Sequence, residues 1–284
     1  MKTTTICRQI GLLSMLVLLL SQAHTQPQTE LLLPYLTHDS LATKTAVNNQ
    51  LAIIPLQPVM RKSVAQYLGE NAEMLDIIQK RNNGNFKTIR KILVKSGLPQ
   101  GLLYLAIVES DLKNSATSPA GAAGIWQLMP ETARTFGLKV NGKTDQRRDV
   151  YKSSVAVTGY FNELYKQFDD WLLVVAAYNC GAGNVYKAIK QSGSREFWKM
   201  QRFLPAETRA HVKHFIATHF YYEQNGSMVT LTKKERTRYL AALNDLAVKT
   251  DEPKTSDALS SVNQPANCVL IDRPAGELIA ELKK

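Results

Sequence analysis

Cysteine is scarce in this sequence: three residues in 284, of which Cys7 lies in the opening segment. Cys180 and Cys268 could form one disulfide in an oxidising compartment, but a single pair is no disulfide framework, and without a Cys-x-x-Cys there is no redox dithiol. No His-Glu-x-x-His pattern is present for zinc, so the three histidines of one segment, His211, His214 and His219, give no metal expectation. Gly181-Ala182-Gly183 follows no strand and is no nucleotide fingerprint. Long alternating apolar and polar runs are missing too, which makes the expected class mainly α. No internal repeat is present, and no apolar run reaches the roughly 20 residues that a membrane-spanning helix needs.

What is present begins with a short apolar run, Ile10 to Leu20, preceded by Lys2 and Arg8 and followed by Ser21-Gln22-Ala23. This pattern predicts a secretory signal over residues 1–23, with an uncleaved anchor as the alternative. No cysteine sits just after the run, so a lipoprotein attachment site is not expected. Export to the periplasm is, with no integral membrane segment left after cleavage. Removing Lys2 and Arg8 lowers the formal charge from +11 to +9. The positive residues are scattered, which suits either an anionic surface or an ordinary basic exterior, and no nucleic-acid partner is expected. With 44% hydrophobic and 21% charged residues the chain can bury a sizeable core.

Residues 24–58 mix Pro, Thr and Asn with short apolar stretches and read as a lead-in. From 59 to 226 the pattern is helical. Val157, Tyr160, Phe161, Leu164 and Phe168 fall at helical spacing behind a candidate N-cap, Asp149. Trp171 to Tyr178 is apolar on all sides, as at the centre of a bundle. Pro205 and Asn225-Gly226 mark the start and stop of another helix. Residues 227–284 read as a linker and a short C-terminal tail, whose last seventeen residues are too few to bury a core of their own.

Within "GLPQGLLYLAIVESDL" a lone carboxylate, Glu109, continues a stripe formed by Leu102, Leu105 and Ala106. It therefore points inward. Desolvation favours the protonated form of a carboxylate, which is what a general acid for a glycosidic oxygen needs. The alternative is a structural glutamate that caps a neighbouring helix or pairs with a basic residue. Directly after it, Ser118, Pro119, Gly121 and Gly124 predict a tight, backbone-rich loop. Trp126 and Gln127 then offer a stacking face and an amide for a sugar, although such a Trp by itself is more often core than ligand contact. Glu131, just after Pro130, suits a helix N-terminus.

A hydrolytic glycosidase ordinarily uses two carboxylates. Asp111 is about 200° around a helix from Glu109 and faces away. Asp145, Asp149, Asp169 and Asp170 lie beside basic residues or helix starts and read as caps or solvated charges. One acid acting twice is the economical mechanism.

The stretch "GLLYLAIVESDLKNSATSPAGAAGIWQLMPETA", with "AAYNCGAGNV" further on, strongly resembles the catalytic domain of bacterial lytic murein transglycosylases, in particular the membrane-bound type D branch. The resemblance runs from about Pro58 to Gly226. It implies a lysozyme-like helical fold, no cofactor, and peptidoglycan glycan strands as partner, cleaved by a monomer. Between N-acetylmuramic acid and N-acetylglucosamine the muramyl C6 hydroxyl would close on C1, leaving a 1,6-anhydro end. The resemblance puts the acid/base on Glu109, substrate contacts on Ser118 and Gln127, and a hydroxyl reaching the site on Tyr178. Asn179 is the adjacent motif residue. His211 in "ETRAH" stands where the family commonly has a tyrosine. Type D relatives often carry LysM wall-binding modules, and the last seventeen residues match at best the first strand and helix of one. Two other classes stay open: a weakened wall-binding module, and a muramidase that uses water. A cysteine nucleophile at Cys180 is the weaker reading, since a small side chain suits that glycine-flanked turn.

Overall fold

The computed structural model describes residues 54–250. In chain order its helices are α1 Arg61–Lys95, α2 Leu103–Ser110, α3 Pro130–Thr135, α4 Val150–Phe168, α5 Trp171–Cys180, α6 Ala182–Ser192, α7 Phe197–Met200, α8 Ala206–Glu223 and α9 Lys233–Thr250. Among the described residues, β pairing is confined to isolated bridges such as Thr117 to Ala123 and Ala123 to Leu128. The mainly α expectation therefore holds. No helix among these residues is long and apolar enough to cross a membrane. The expected signal, most of the lead-in, Cys268 and the C-terminal tail lie outside the described residues.

Helix α5 is the axis of the bundle, for reasons that can be read in its residues. Asp170 caps it, its Oδ1 accepting from the backbone N–H of Leu172 at 2.9 Å and of Leu173 at 3.2 Å. Trp171 to Ala177 are all buried. With no polar face to turn outward, the helix must be enclosed. Helices α4, α6 and α8 enclose it. On α4, capped as expected by Asp149 through the Lys152 N–H, Val157, Phe161, Leu164 and Phe168 are buried and Tyr160 is partly so. Helix α8 packs on α1 and α2 as well as on α5, so it is the element that brings the two ends of the fold together.

Helix α1 bends at Asn82 (φ −118°, ψ 19°), where the Asn82 amide donates to the Ile78 carbonyl and accepts from Asn85. Asparagine side chains compete in this way with the helical backbone, and the Arg81-Asn82-Asn83-Gly84 run concentrates them. Helix α8 starts after Pro205 as expected but ends at Glu223, with Gln224 left-handed at φ 53°. Gly226, expected as the stop, has another task. Its N–H donates to the Ile54 carbonyl at 2.9 Å, and a Cβ there would lie 2.5 Å from Ile54 Cγ2.

Within the stretch expected as linker and tail, residues 228–230 form a short turn and 233–250 a helix, and the part up to Arg236 is docked on the bundle. Ser227 caps a short turn at Met228–Thr230, and Val229 and Leu231 are buried. Thr232 and Glu235 then form a reciprocal cap at the start of α9: the Glu235 carboxylate accepts from Thr232 N–H at 2.8 Å, and Thr232 Oγ1 accepts from Glu235 N–H at 3.3 Å. Lys233 N–H donates to Asp170 Oδ2 and Arg236 pairs with Asp169, which ties α9 to the start of α5.

His219 of α8 is fully enclosed, edge-on to the Tyr104 ring, with Nε2 on Ser227 Oγ at 2.8 Å. Burial pushes its imidazolium down to about 4, despite the opposing charge of Glu223. Because the unfolded chain protonates near the ordinary histidine value, the fold holds this contribution in full at neutral pH and loses it as pH falls toward 4. Between pH 7 and pH 4 the protein should lose about 3 kcal/mol more stability than a His219→Gln variant, measured by urea unfolding. Parallel pH dependences in the two proteins would contradict this.

Candidate active site

Leu102, Leu105 and Ala106 are fully buried, and Glu109 continues their line near the end of α2 with its side chain only 14% exposed. The helix stops one residue later. Asp111 and Leu112 take left-handed conformations in succession, at φ 54° and 57°. This corrects the rotation expected for Asp111: it has left the helix altogether and pairs with Lys113 at 2.8 Å. Ser110 Oγ donates to the Ile125 carbonyl at 2.8 Å, fastening the next loop beside Glu109.

That loop is tight, as the Ser/Pro/Gly pattern predicts. Ser118 N–H donates to the Ala122 carbonyl, and Ser118 Oγ accepts from Ala122 N–H at 3.0 Å. Gly124 sits at φ 79°, where a Cβ would fall 1.9 Å from the Arg147 carbonyl oxygen, so no other residue fits without movement. Gln127 is left-handed at φ 45°, and its Nε2 donates to the Gly124 carbonyl at 2.8 Å. Half of the expected amide is thus spent on the loop itself. Trp126 is core: it is fully buried, donates from Nε1 to Ser154 Oγ at 2.9 Å and meets Phe161 edge-on. It presents no stacking face.

Two arginines that drew no notice in the sequence hold this loop. Arg147 is buried, paired with Asp145 at 2.8 Å, and its Nη1 donates to the carbonyls of Gly121 at 2.7 Å and Leu128 at 2.8 Å. The guanidinium beside Asp145 holds that carboxyl below the usual range. Arg148 reaches the Ser115 carbonyl at 2.7 Å and Thr117 Oγ1 at 2.6 Å. The only signal in the sequence was an Asp-x-Arg-Arg run ahead of a helix.

The other wall comes from the end of α5 and the start of α8. Tyr178 OH donates to the Trp126 carbonyl at 2.5 Å. Burial first, then the charge of Glu109, pushes its phenol well above the ordinary tyrosine value, so it stays neutral. Asn179 Oδ1 accepts from Thr208 Oγ1 at 2.7 Å. Thr208 lies three residues before His211, on the same face of α8, so this bond sets the helix rotation that aims His211 at α2. His211 Nε2 lies 2.9 Å from Glu109 Oε1, and its side chain is only 10% exposed. The sheltered glutamate therefore has a partner, and the partner is an imidazole.

The remaining candidates go elsewhere. Asp149 and Asp170 are helix caps, Asp169 pairs with Lys233 and Arg236, and Glu131 is exposed in the first turn of α3. His214 stacks on Tyr67 while His219 is sealed at the far end of α8. Among the described residues no group of three or more His, Cys, Asp or Glu side chains could hold a metal ion. Burial raises the Cys180 thiol, the wrong direction for a nucleophile. A cavity of about 590 Å³ lined by Arg90, Gln100, His219 and Glu223 opens at the other end of α2, away from Glu109.

Residues 87–201 match the family model described as the transglycosylase SLT domain. The membrane-bound lytic murein transglycosylase D of Escherichia coli (strain K12) is 41% identical over 169 residues, 58% of this chain and 37% of that protein. The chain thus spans little more than a third of that relative's length. A putative tributyltin chloride resistance protein of Alteromonas sp. (strain M-1) is 32% identical over 151 residues, 53% of this chain and 69% of that one. Among solved structures, the 70 kDa soluble lytic transglycosylase of Escherichia coli superposes with a TM-score of 0.47 at 24% identity, over 65% of this chain and 34% of that one.

If Arg147 carries the loop, Arg147→Met should leave the Gly121 and Leu128 carbonyls and Asp145 without their donor. The expected loss is about 3 kcal/mol in chemical unfolding, with faster amide exchange over residues 116–128. A change below about 1 kcal/mol would show that the loop is held by other means.

Proposed function

The chain belongs to the transglycosylase SLT domain family, and on that premise we propose that it cleaves the β-1,4 bond between N-acetylmuramic acid and N-acetylglucosamine in peptidoglycan, without water. The observation that carries this reading is one sheltered carboxylate, Glu109, beside a stapled polar loop, with the other candidate acids committed as caps or ion pairs. Its first task is to give a proton to the glycosidic oxygen as the bond to C1 breaks. The neighbouring N-acetyl oxygen of the substrate stabilises the positive charge on C1, the role that a second carboxylate has in hydrolytic enzymes. The muramyl C6 hydroxyl then attacks C1 and returns its proton to Glu109, leaving a 1,6-anhydro end.

The substrate-facing roles follow from what each side chain has left to give. Ser118 Oγ accepts from Ala122, so its own hydrogen is available to a substrate carbonyl. Gln127 Nε2 is used by the loop, which leaves Oε1 to accept from an amide N–H of the sugar. Tyr178, neutral and fixed on the Trp126 carbonyl, forms the wall next to Glu109. Asn179 acts through Thr208 on the setting of α8, and His211 replaces the family's tyrosine as the group that touches the acid. Residues 59–226 form the catalytic unit in this account, which is exported, acts in the periplasm as a monomer and needs no cofactor.

The test is digestion of purified peptidoglycan, followed by mass spectrometry of the soluble products. Anhydromuropeptides are expected; reducing ends would mean hydrolysis, and no soluble product would mean a wall-binding module. Glu109→Gln should lower release by about 10²–10⁴-fold with an unchanged circular dichroism spectrum. Retained release in that variant would remove Glu109 from the role.

A further inference from the structure

We propose that His211 works as a neutral imidazole with its hydrogen on Nε2, holding Glu109 Oε1 as an acceptor so that the proton to be transferred resides on Oε2. The proposal rests on the reading of Glu109 as the acid/base. It is motivated by the two nitrogens of His211, which have unlike surroundings. Nε2 is 2.9 Å from Glu109 Oε1, whereas Nδ1 is out of contact with solvent and has no hydrogen-bond partner among the described residues.

A histidine–carboxylate pair that shares one proton can hold it in two ways, as a neutral acid with a neutral imidazole or as a carboxylate with an imidazolium. Where a carboxylate accepts from Nδ1–H, the imidazolium is stabilised and the ring becomes a base. Here Nδ1 has no such acceptor. A hydrogen on Nδ1, in the imidazolium or in the other tautomer, would be a buried donor left unsatisfied. A bare Nδ1 lone pair is the less costly state. The ring therefore donates from Nε2 and the shared proton stays on the carboxyl group. Since Oε1 is taken by the ring and Oε2 makes no hydrogen bond to a described residue, Oε2 is the oxygen that faces the reaction.

The surroundings fit a neutral ring. Glu109 on α2 is the group in direct contact. On α5, Tyr178 remains an uncharged phenol beside Glu109. One turn along α8, burial holds the His214 imidazolium down, with Glu70 of α1 acting in the other direction and Tyr67 of α1 stacked on the His214 ring. Asp111, past the end of α2, acts on Tyr67 and is paired with Lys113. The arrangement also makes His211 a positioning residue with a differential effect. As Oε2 gives up its proton, negative charge grows on Oε1, and the Nε2–H bond strengthens in the transition state more than in the ground state.

Nitrogen-15 NMR of the histidine rings in the substrate-free protein tests the tautomer directly. Across neutral pH the His211 ring should show a protonated Nε2 and an unprotonated Nδ1. A hydrogen on Nδ1, or a doubly protonated ring at neutral pH, would overturn the proposal whether or not the protein is active. In kinetics, His211→Phe should lose about ten- to a hundredfold in kcat with little change in KM, and His211→Gln, which keeps a donor but cannot titrate, should lose less than the Phe variant. A Phe variant with undiminished kcat would also overturn it. An active Glu109→Gln variant would instead sink the assignment of the acid itself, and is distinguishable because the ring tautomer is read separately. Should the Phe variant fail to fold, the ring spectrum of the unsubstituted protein still decides.

Discussion

The contact between Glu109 Oε1 and His211 Nε2 is the constraint around which the site is organised, because it joins the end of α2 to the start of α8 through the candidate acid itself. One end depends on α2, whose apolar stripe buries itself and carries Glu109 inward. The other depends on α8, whose rotation is set by Asn179 and Thr208 and whose packing on α1, α2 and α5 fixes its position. A carboxylate placed so close to an imidazole has its proton inventory decided by its neighbour, and the neighbour's by what lies at its far nitrogen. In the proposed mechanism, chemistry at Glu109 is thus coupled to a buried atom, Nδ1, that the substrate need never touch.

Around this contact the molecule separates the task of holding from the task of binding. Gly124, Arg147 and Arg148 shape the loop and draw its carbonyls inward. That leaves the Ser118 hydrogen and the Gln127 carbonyl oxygen outside the loop's own bonds. Trp126, an aromatic that the sequence offered as a sugar platform, instead anchors the loop to α4 through Ser154. A loop fixed by buried hydrogen bonds presents few groups but presents them in one geometry, which favours interactions made only in the transition state.

Much of the scaffold was legible in the residues. The all-apolar segment from Trp171 and the spacing of Phe161 and Phe168 have one physical reading, and it held; Asp149 and Asp170, readable as caps or solvated charges, are caps. Glu109 could be singled out because a carboxylate on an apolar stripe needs an explanation. Its partner could not, since a distance between residues 109 and 211 has no local signature. Arg147 escaped notice for a similar reason: a buried guanidinium that reaches backbone carbonyls resembles, in sequence, any arginine near an aspartate. Residues 227–250 carried a usable signal, the Thr232 to Glu235 capping box, but polar composition masked it.

In the proposed cleavage one carboxylate, held by one imidazole, suffices because the attacking oxygen comes from the substrate itself. Digestion of peptidoglycan in heavy-oxygen water tests this most directly, since hydrolysis must place a solvent oxygen on C1 of the new muramyl end and internal closure cannot. Internal closure gives soluble muropeptides with no heavy oxygen incorporated at that carbon during the cleavage, and this is the expected result. Stoichiometric incorporation from the earliest products onward would contradict it.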